Sequence, residues 1–143
     1  MTVLDAFAVL ALLKGEPAAP EVQNLIEAGD AVFSPPGIAE VVDHLVRIMK
    51  TTEEDAVLDL AQLGVPTTGP LDDDQTRRAG LLRARHYHRK DRAVSLADCV
   101  AAETARSLNS ALATSDPHLL DLCREEGIAI IPLPDSKGDR WSP

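Results

Sequence analysis

The apolar residues of this 143-residue chain alternate between two kinds of spacing. Short continuous apolar runs predict buried strands, whereas apolar residues that recur every three or four positions predict amphipathic helices. The predicted strands cover residues 2–4, 31–34, 111–113 and 128–133, with a further short strand at 65–70. The predicted helices cover residues 6–13, 21–28, 37–50 and 52–64, and three more begin near Asp72, Ser95 and Asp116. Strands that alternate with helices indicate an α/β domain whose mostly parallel sheet is flanked by helices.

The predicted helix at residues 37–50 has the clearest apolar stripe. Its members share helical spacing and are expected to face the core together; they are Ile38, Val41, Val42, Leu45 and Met49. Glu40 lies opposite this stripe, where it can pair with His44 on a solvated face. The helix follows Pro35 and Pro36, which end the second strand.

Length and composition fit one domain. We assign residues 1–134 to it and residues 135–143, a polar segment with Pro and Gly, to a loose C-terminal tail. Trp141 in that tail is either exposed or a contact for a partner. Cys99 and Cys123 lie in apolar helical runs without metal-ligand spacing, which is typical of reduced core cysteines in a cytosolic protein. No signal peptide or membrane span is recognisable, so we expect a cytoplasmic location and no membrane partner.

Charge is distributed unevenly along the chain. The formal net charge of −9 opposes a nucleic-acid partner if the acids are spread evenly. However, residues 77–92 contain half of the 14 basic residues and only one acid. Either this segment is a solvated helix face, or its cations, together with His86, Tyr87 and His88, contact the phosphates and bases of a nucleic acid. The candidate nucleic-acid-binding residues are Arg77, Arg78, Arg83, Arg85, Arg89, Lys90 and Arg92.

Four carboxylates fall where strands end and helices begin. In a parallel sheet these positions share one edge, which is where ligands bind. The four residues are Asp5, Glu40, Asp98 and Asp116. Each has an ordinary alternative explanation, because an acid at a helix N-terminus caps free N–H groups and is stabilised by the helix dipole. The apolar surroundings of Asp5 in VLDAFAVL and of Asp98 in SLADCVAA argue against four independent solvated caps.

Clustered carboxylates need a compensating charge. Without a cation they repel one another and take up protons. Ligands that are all oxygen atoms favour Mg²⁺, with Mn²⁺ as an alternative, and such ions activate water for attack on a phosphodiester. A metal-dependent phosphodiesterase, in which the acids hold the metal and the arginines hold the phosphate backbone, is therefore the favoured hypothesis.

Four segments carry a family resemblance: VLDAFAVLALL, IAEVVDHL, VSLADCVAAETA and LATSDPHLLDLCREEGIAIIPLP. In this order they resemble a PIN-domain nuclease, and the short single domain resembles the VapC toxins of VapBC toxin–antitoxin pairs. The resemblance implies the three-layer PIN fold and an Mg²⁺-dependent endoribonuclease. It implies catalytic roles for Asp5, Glu40, Asp98 and Asp116, metal ligation by the three aspartates, and a supporting hydroxyl from Thr114. It also implies a homodimer neutralised by a small antitoxin of the VapB type, whose C-terminal segment faces Glu40.

The chain departs from the family pattern in two places. Ala6 and Phe7 stand where family members often have Ser or Thr after the first Asp, and no polar residue closely precedes Glu40. Receiver domains and haloacid-dehalogenase-like hydrolases also gather acids at strand ends, but their motifs are missing; the latter would need an acid at Phe7. The remaining alternative is a non-enzymatic interaction protein with capping acids and a basic partner-binding helix.

Overall fold

The computed structural model describes all 143 residues, which form a four-stranded sheet in which every neighbouring pair is parallel. The strand order is β2-β1-β3-β4. The strands are β1 (Thr2–Leu4), β2 (Ala31–Phe33), β3 (Ala111–Thr114) and β4 (Ile130–Pro132). Because all strands run the same way, their C-terminal ends share one edge of the sheet. The predicted α/β fold is confirmed.

Seven α-helices surround the sheet. They are α1 (Ala6–Lys14), α2 (Ala19–Glu27), α3 (Pro35–Asp43), α4 (Glu53–Leu63), α5 (Asp73–His86), α6 (Leu96–Ser107) and α7 (Pro117–Glu125). A π-helical turn, His44–Ile48, continues α3. None of these helices combines the length and the apolar character that crossing a membrane requires.

Side-chain alternation along the strands divides the core into two layers. Leu4 and Ala113 pack with α1, α2, α3 and α4 on one face of the sheet. Their neighbours Val3 and Leu112 point to the other face and pack with α5, α6 and α7. Successive strand residues face opposite sides, so two short strands are enough to supply both cores. The result is a three-layer arrangement of helices, sheet and helices.

Both cysteines lie in the core layer between the sheet and helices α5, α6 and α7. Cys99 in α6 and Cys123 in α7 are free and fully buried, as the apolar runs around them predicted. Burial in apolar surroundings raises the pKa of each thiol to about 12. The protonated thiol therefore dominates at neutral pH, and the two side chains act as small apolar packing groups.

The apolar stripe predicted for residues 37–50 is correct in its first half only. Val41 and Leu45 are buried, but 41% of Met49 is exposed. The π-helical turn fits an extra residue into the turn after Asp43, so positions beyond it no longer follow the spacing of an α-helix. Met49 consequently turns away from the core.

Residues 65–70 form less structure than the predicted strand. Thr67 makes a single parallel bridge to Phe33 in β2. The N–H of Phe33 donates to the Pro66 carbonyl at 2.9 Å, and the N–H of Thr68 donates to the Phe33 carbonyl at 3.0 Å. This contact covers the free edge of β2, which would otherwise present unpaired backbone groups.

The C-terminal tail contacts the domain, although its composition suggested a loose segment. The Arg140 guanidinium donates to the Pro132 carbonyl at 2.9 Å and pairs with Glu21. The indole N–H of the half-buried Trp141 donates to Asp121 Oδ1 at 2.8 Å. Trp141 therefore contacts α7 of its own chain.

Gly37 is required by the packing of α3 against the sheet. A Cβ at this buried position would lie 2.6 Å from Cε2 of Phe33, whose ring is itself buried. We expect Gly37→Ala to lower the free energy of unfolding by about 1–3 kcal/mol, because the buried ring would have to leave its packed position to make room for the Cβ. Urea denaturation measures this change. Gly80→Ala in α5 is the control, since nothing lies within 4 Å of its Cβ; equal stability of the two variants would contradict the packing argument.

Candidate active site

Asp5 lies directly after β1 and caps α1. Its Oδ1 accepts from the N–H of Ala8 at 2.8 Å, and its Oδ2 accepts from the Thr114 hydroxyl. Only 2% of the residue is exposed. Burial raises the pKa of Asp5 to about 8 against the two hydrogen bonds, which lower it, and the charges of Asp98 and Asp116 add to the rise. A buried acid with a pKa near neutrality is costly to ionise, which is unusual for a simple helix cap.

Asp98 lies in the first turn of α6 and forms a capping box with Ser95. The Ser95 N–H donates to Asp98 Oδ2 at 2.8 Å, and the Asp98 N–H donates to Ser95 Oγ at 3.0 Å. Burial raises the pKa of Asp98 to about 6, and the negative charges of Glu40 and Asp116 contribute. Asp98 is therefore both a cap, as the sequence allowed, and a member of a repelling group of acids.

Glu40 in α3 faces α6 and not His44, contrary to the expected pairing. Its Oε1 accepts from the Ser95 hydroxyl at 2.9 Å, and the side chain is half-buried. His44 Nε2 is buried without a hydrogen bond, and burial lowers the pKa of this imidazole. Helical phase placed Glu40 correctly away from Leu45, but phase could not show that a second helix covers that side.

Thr114, at the end of β3, connects Asp5 to Asp116. Its fully buried hydroxyl donates to Asp5 and accepts from the Asp116 N–H at 3.0 Å. Asp116 Oδ1 caps α7 by accepting from the N–H of His118 at 2.9 Å. The strand register places the C-terminal residues Leu4 and Ala113 side by side, so Asp5 and Thr114 follow at adjacent positions.

The four acids share one edge of the sheet and lack a cationic partner. None of Asp5, Glu40, Asp98 and Asp116 forms an ion pair with Lys, Arg or His. One oxygen each of Glu40, Asp98 and Asp116 accepts no hydrogen bond within the protein. The edge thus combines uncompensated negative charge with free carboxylate oxygens.

The donor set suits a hard divalent cation, because every candidate ligand is a carboxylate oxygen. As they stand, however, no three His, Cys, Asp or Glu side chains lie close enough together to hold an ion. The capping bonds hold the carboxylates apart, and mutual repulsion opposes their approach. Metal binding at this edge would require a shift of the side chains.

Two residues near this edge were not predicted to be part of the site. Ser95 bonds both Glu40 and Asp98; the S-x-x-D spacing identified it as a cap but could not reveal its second partner. Phe7 is 48% exposed and lines an open cavity of about 400 Å³ together with Ser115 and Asp116. The exposure of this aromatic ring could not be read from its apolar surroundings in the sequence.

The basic segment 77–92 is not a single helix face. α5 ends at His86, so Arg89, Lys90 and Arg92 lie beyond it. Four of the seven cations form ion pairs within the chain: Arg77 and Arg78 with Asp74, Arg85 with Glu126, and Arg92 with Glu125. Arg83 donates to the Val94 carbonyl at 2.9 Å and stacks 4.2 Å from the centre of the Tyr87 ring. Arg89 and Lys90 form no ion pair.

Known proteins share this architecture. PAE2754 from Pyrobaculum aerophilum is similar to the chain with a TM-score of 0.61 and 20% identity, over 85% of this chain and 83% of that one. FitAcB from Neisseria gonorrhoeae is similar with a TM-score of 0.60 and 14% identity, over 92% of this chain and 96% of that one. At these identities the likeness shows the fold alone. A comparison with curated protein sequences finds no match.

Family assignment comes from the sequence itself. The family model described as PIN domain matches residues 2–125, which include β1 through α7 and all four acids. PIN domains are generally nucleases, and PIN nucleases typically use divalent metals. The chain therefore belongs to the PIN domain family.

Proposed function

We propose that this protein is an Mg²⁺-dependent endoribonuclease of the VapC toxin type, which hydrolyses RNA phosphodiester bonds at the carboxylate edge. The observation that carries the proposal is the group of four acids without a cationic partner, two of which have strongly raised pKa values. A fold that needed only helix caps would gain nothing by burying both Asp5 and Asp98 at this edge, because burial opposes their ionisation. A cation-binding function explains the arrangement.

In this proposal Asp5, Asp98 and Asp116 hold the metal, with Mg²⁺ as the first choice and Mn²⁺ as an alternative. When bound, such an ion lowers the pKa of a water molecule and stabilises charge on the phosphodiester. The Thr114 hydroxyl orients Asp5, and Ser95 holds Glu40 beside Asp98. Glu40 Oε2 accepts no bond within the protein, and in this proposal it takes a proton from the attacking water.

The toxin assignment rests on the sequence resemblance together with family membership. It includes a VapB-type antitoxin and a homodimer. One surface suits such a partner: Val57 and Leu58 of α4 are more than half exposed and lie beside Glu53 and Glu54. A basic amphipathic segment of an antitoxin would complement this apolar, acid-flanked patch.

The experiment that tests the nuclease is incubation of total RNA with the purified protein in Mg²⁺ or in EDTA. We expect discrete fragments in Mg²⁺ only. Glu40→Gln keeps the acceptor for Ser95 but cannot take a proton at Oε2, so we expect cleavage to fall about 100-fold or more while Mn²⁺ binding persists. Asp55→Asn, an exposed acid of α4, is the control and should cleave normally. Intact RNA in Mg²⁺ with folded, inhibitor-free protein would refute the proposal.

The competing explanation is an interaction protein whose acids are only caps. It is supported by the hydrogen bonds themselves, since Asp5, Asp98 and Asp116 each accept from a backbone N–H at the start of a helix. Caps do not need a divalent ion, so the two explanations differ in their response to metal.

A further inference from the structure

We propose that the turn formed by residues 87–92, hereafter the basic turn, holds single-stranded RNA against the carboxylate edge. In this inference Arg89 and Lys90 contact phosphates and Tyr87 stacks on a base. It rests on the proposed ribonuclease function and names the part of the chain that binds the substrate. The other cations of residues 77–92 are assigned structural roles.

The basic turn is built by bonds within the chain. His88 and Arg92 exchange backbone hydrogen bonds of 3.0 and 2.9 Å, which closes the turn. The N–H groups of Lys90 and Asp91 donate to His88 Nδ1 at 3.2 and 3.1 Å. Arg92 pairs with Glu125 of α7 at 2.8 Å. A turn fixed in this way presents Arg89 and Lys90 with little further loss of backbone entropy on binding.

His118 links the basic turn to the candidate active site. Its Nδ1 lies 3.0 Å from the Asp91 carbonyl, and its backbone N–H donates to the carboxylate of Asp116. On the other side, Ser95, which bonds Glu40 and Asp98, follows Arg92 by only three residues. The basic turn therefore borders the acids from two directions. It carries positive charge where a polyanion must approach a negative site.

Two features of the basic turn favour a single strand. Arg89 and Lys90 are exposed and free of ion pairs, whereas the four paired cations of the segment would have to release a carboxylate first. Tyr87 is 46% exposed, and the Arg83 guanidinium covers one face of its ring. An aromatic ring next to free cations is the arrangement that binds bases and phosphates of single strands, since bases in a duplex are already stacked.

Binding of a fluorescein-labelled 12-nucleotide oligouridylate in EDTA, measured by anisotropy over a range of salt concentrations, tests the inference without cleavage. Arg89→Gln with Lys90→Gln should reduce the slope of log affinity against log salt by about 1.4, the value for two phosphates of a single strand. The control is Arg124→Gln with Lys50→Gln, which removes the same charge from exposed, unpaired positions and should leave the slope unchanged. An unchanged slope in the first variant, an equal loss in the control, or no binding by wild type would overturn the inference. RNA cleavage decides the proposed function separately.

Substitutions of Tyr87 and His118 test stacking and positioning. Tyr87→Leu should weaken binding of the oligouridylate about tenfold, whereas Tyr87→Phe should not. His118→Ala should weaken it because the basic turn loses its link to the start of α7 and keeps only the Arg92–Glu125 pair farther along that helix. His118→Asn should restore it because the amide N–H can replace Nδ1. A duplex RNA of the same length should bind wild type more weakly. Equal binding of the duplex, or failure of the Asn variant to rescue, would count against this placement of the strand.

Discussion

Asp5→Asn is expected to reduce RNA cleavage about 100- to 1000-fold and, at the same time, to make the metal-free protein more stable at neutral pH. The loss of cleavage follows from the proposed role of Asp5 as a metal ligand. The gain in stability follows from its burial, because Asn fills the same space and caps α1 without an ionisable group. Substitutions that only damage a fold lower both quantities, so the opposite signs are diagnostic.

The pH dependence of stability isolates the contribution of Asp5. Its pKa rises from 3.8 to about 8 on folding, so between these values the folded protein holds a proton that the unfolded chain has released. Stability of the wild type therefore falls as pH rises through this range and levels off above about pH 8. Asp98, with a pKa of about 6, contributes mainly below pH 6. Asp5→Asn should remove a slope of up to about 1.4 kcal/mol per pH unit between pH 6 and 7.5.

Urea denaturation of metal-free protein at several pH values provides the stability data, and the total-RNA assay provides the activity. Asp55→Asn, which changes an exposed acid in the first turn of α4, should leave the slope and the cleavage rate as in wild type. If Asp5→Asn lowers stability at pH 7.5, the folded domain does not bury a protonated acid at this position. If it cleaves RNA normally, Asp5 is not a ligand.

Mn²⁺ is expected to raise the melting temperature of wild type by roughly 5–10 °C when its concentration reaches about 100 times the dissociation constant. A ligand that binds only the folded state stabilises it by about 2.7 kcal/mol at that ratio. For a chain of this size each kcal/mol raises the melting temperature by about 2–4 °C. At one fixed Mn²⁺ concentration the rise in melting temperature should be larger at pH 8 than at pH 6, because the ion competes with protons for Asp5 and Asp98.

Asp98→Asn should abolish most of this rise while preserving the capping box, since the amide oxygen can still accept from the Ser95 N–H. Asp55→Asn is again the matched control, and Ca²⁺ in place of Mn²⁺ shows whether ion size matters. An identical shift in wild type and Asp98→Asn would mean that Mn²⁺ binds elsewhere. The absence of any shift would favour the interpretation of the four acids as caps.

Much of the fold could be predicted because its elements carry local signals. The strands are apolar runs, and the caps Thr52, Asp72 and Ser95 each begin a helix where their spacing indicates. The prediction was wrong where geometry departs from the regular pattern. The π-helical turn moved Met49 out of the core, and the 65–70 segment kept one bridge in place of a strand. Neither departure could be read from the spacing of apolar residues, and the bridge joins two segments that are distant in the sequence.

In the candidate site, too, some features could be predicted from the sequence and others could not. The position of Asp5, Asp98 and Asp116 at strand and helix ends is a topological consequence, and it followed from the order of the elements. The contacts of Glu40 with Ser95 and of His118 with the Asp91 carbonyl join residues 55 and 27 positions apart, which no spacing reveals. Likewise, the cations of residues 77–92 looked equivalent in sequence. Only their acidic partners, Asp74, Glu125 and Glu126, distinguish the paired arginines from Arg89 and Lys90.

The two buried thiols make it possible to measure how often the core of this protein opens to solvent. Cys99 and Cys123 lie on different helices of the same core layer, fully enclosed and protonated at neutral pH. A thiol reagent such as an aromatic disulfide attacks the thiolate, so it can modify these buried residues only when this core layer opens. The labelling rate in native buffer therefore reports how often this core layer opens, just as the rate of amide hydrogen exchange reports how often backbone hydrogen bonds open. No cysteine has to be introduced or removed for this measurement, since the chain contains no other cysteine.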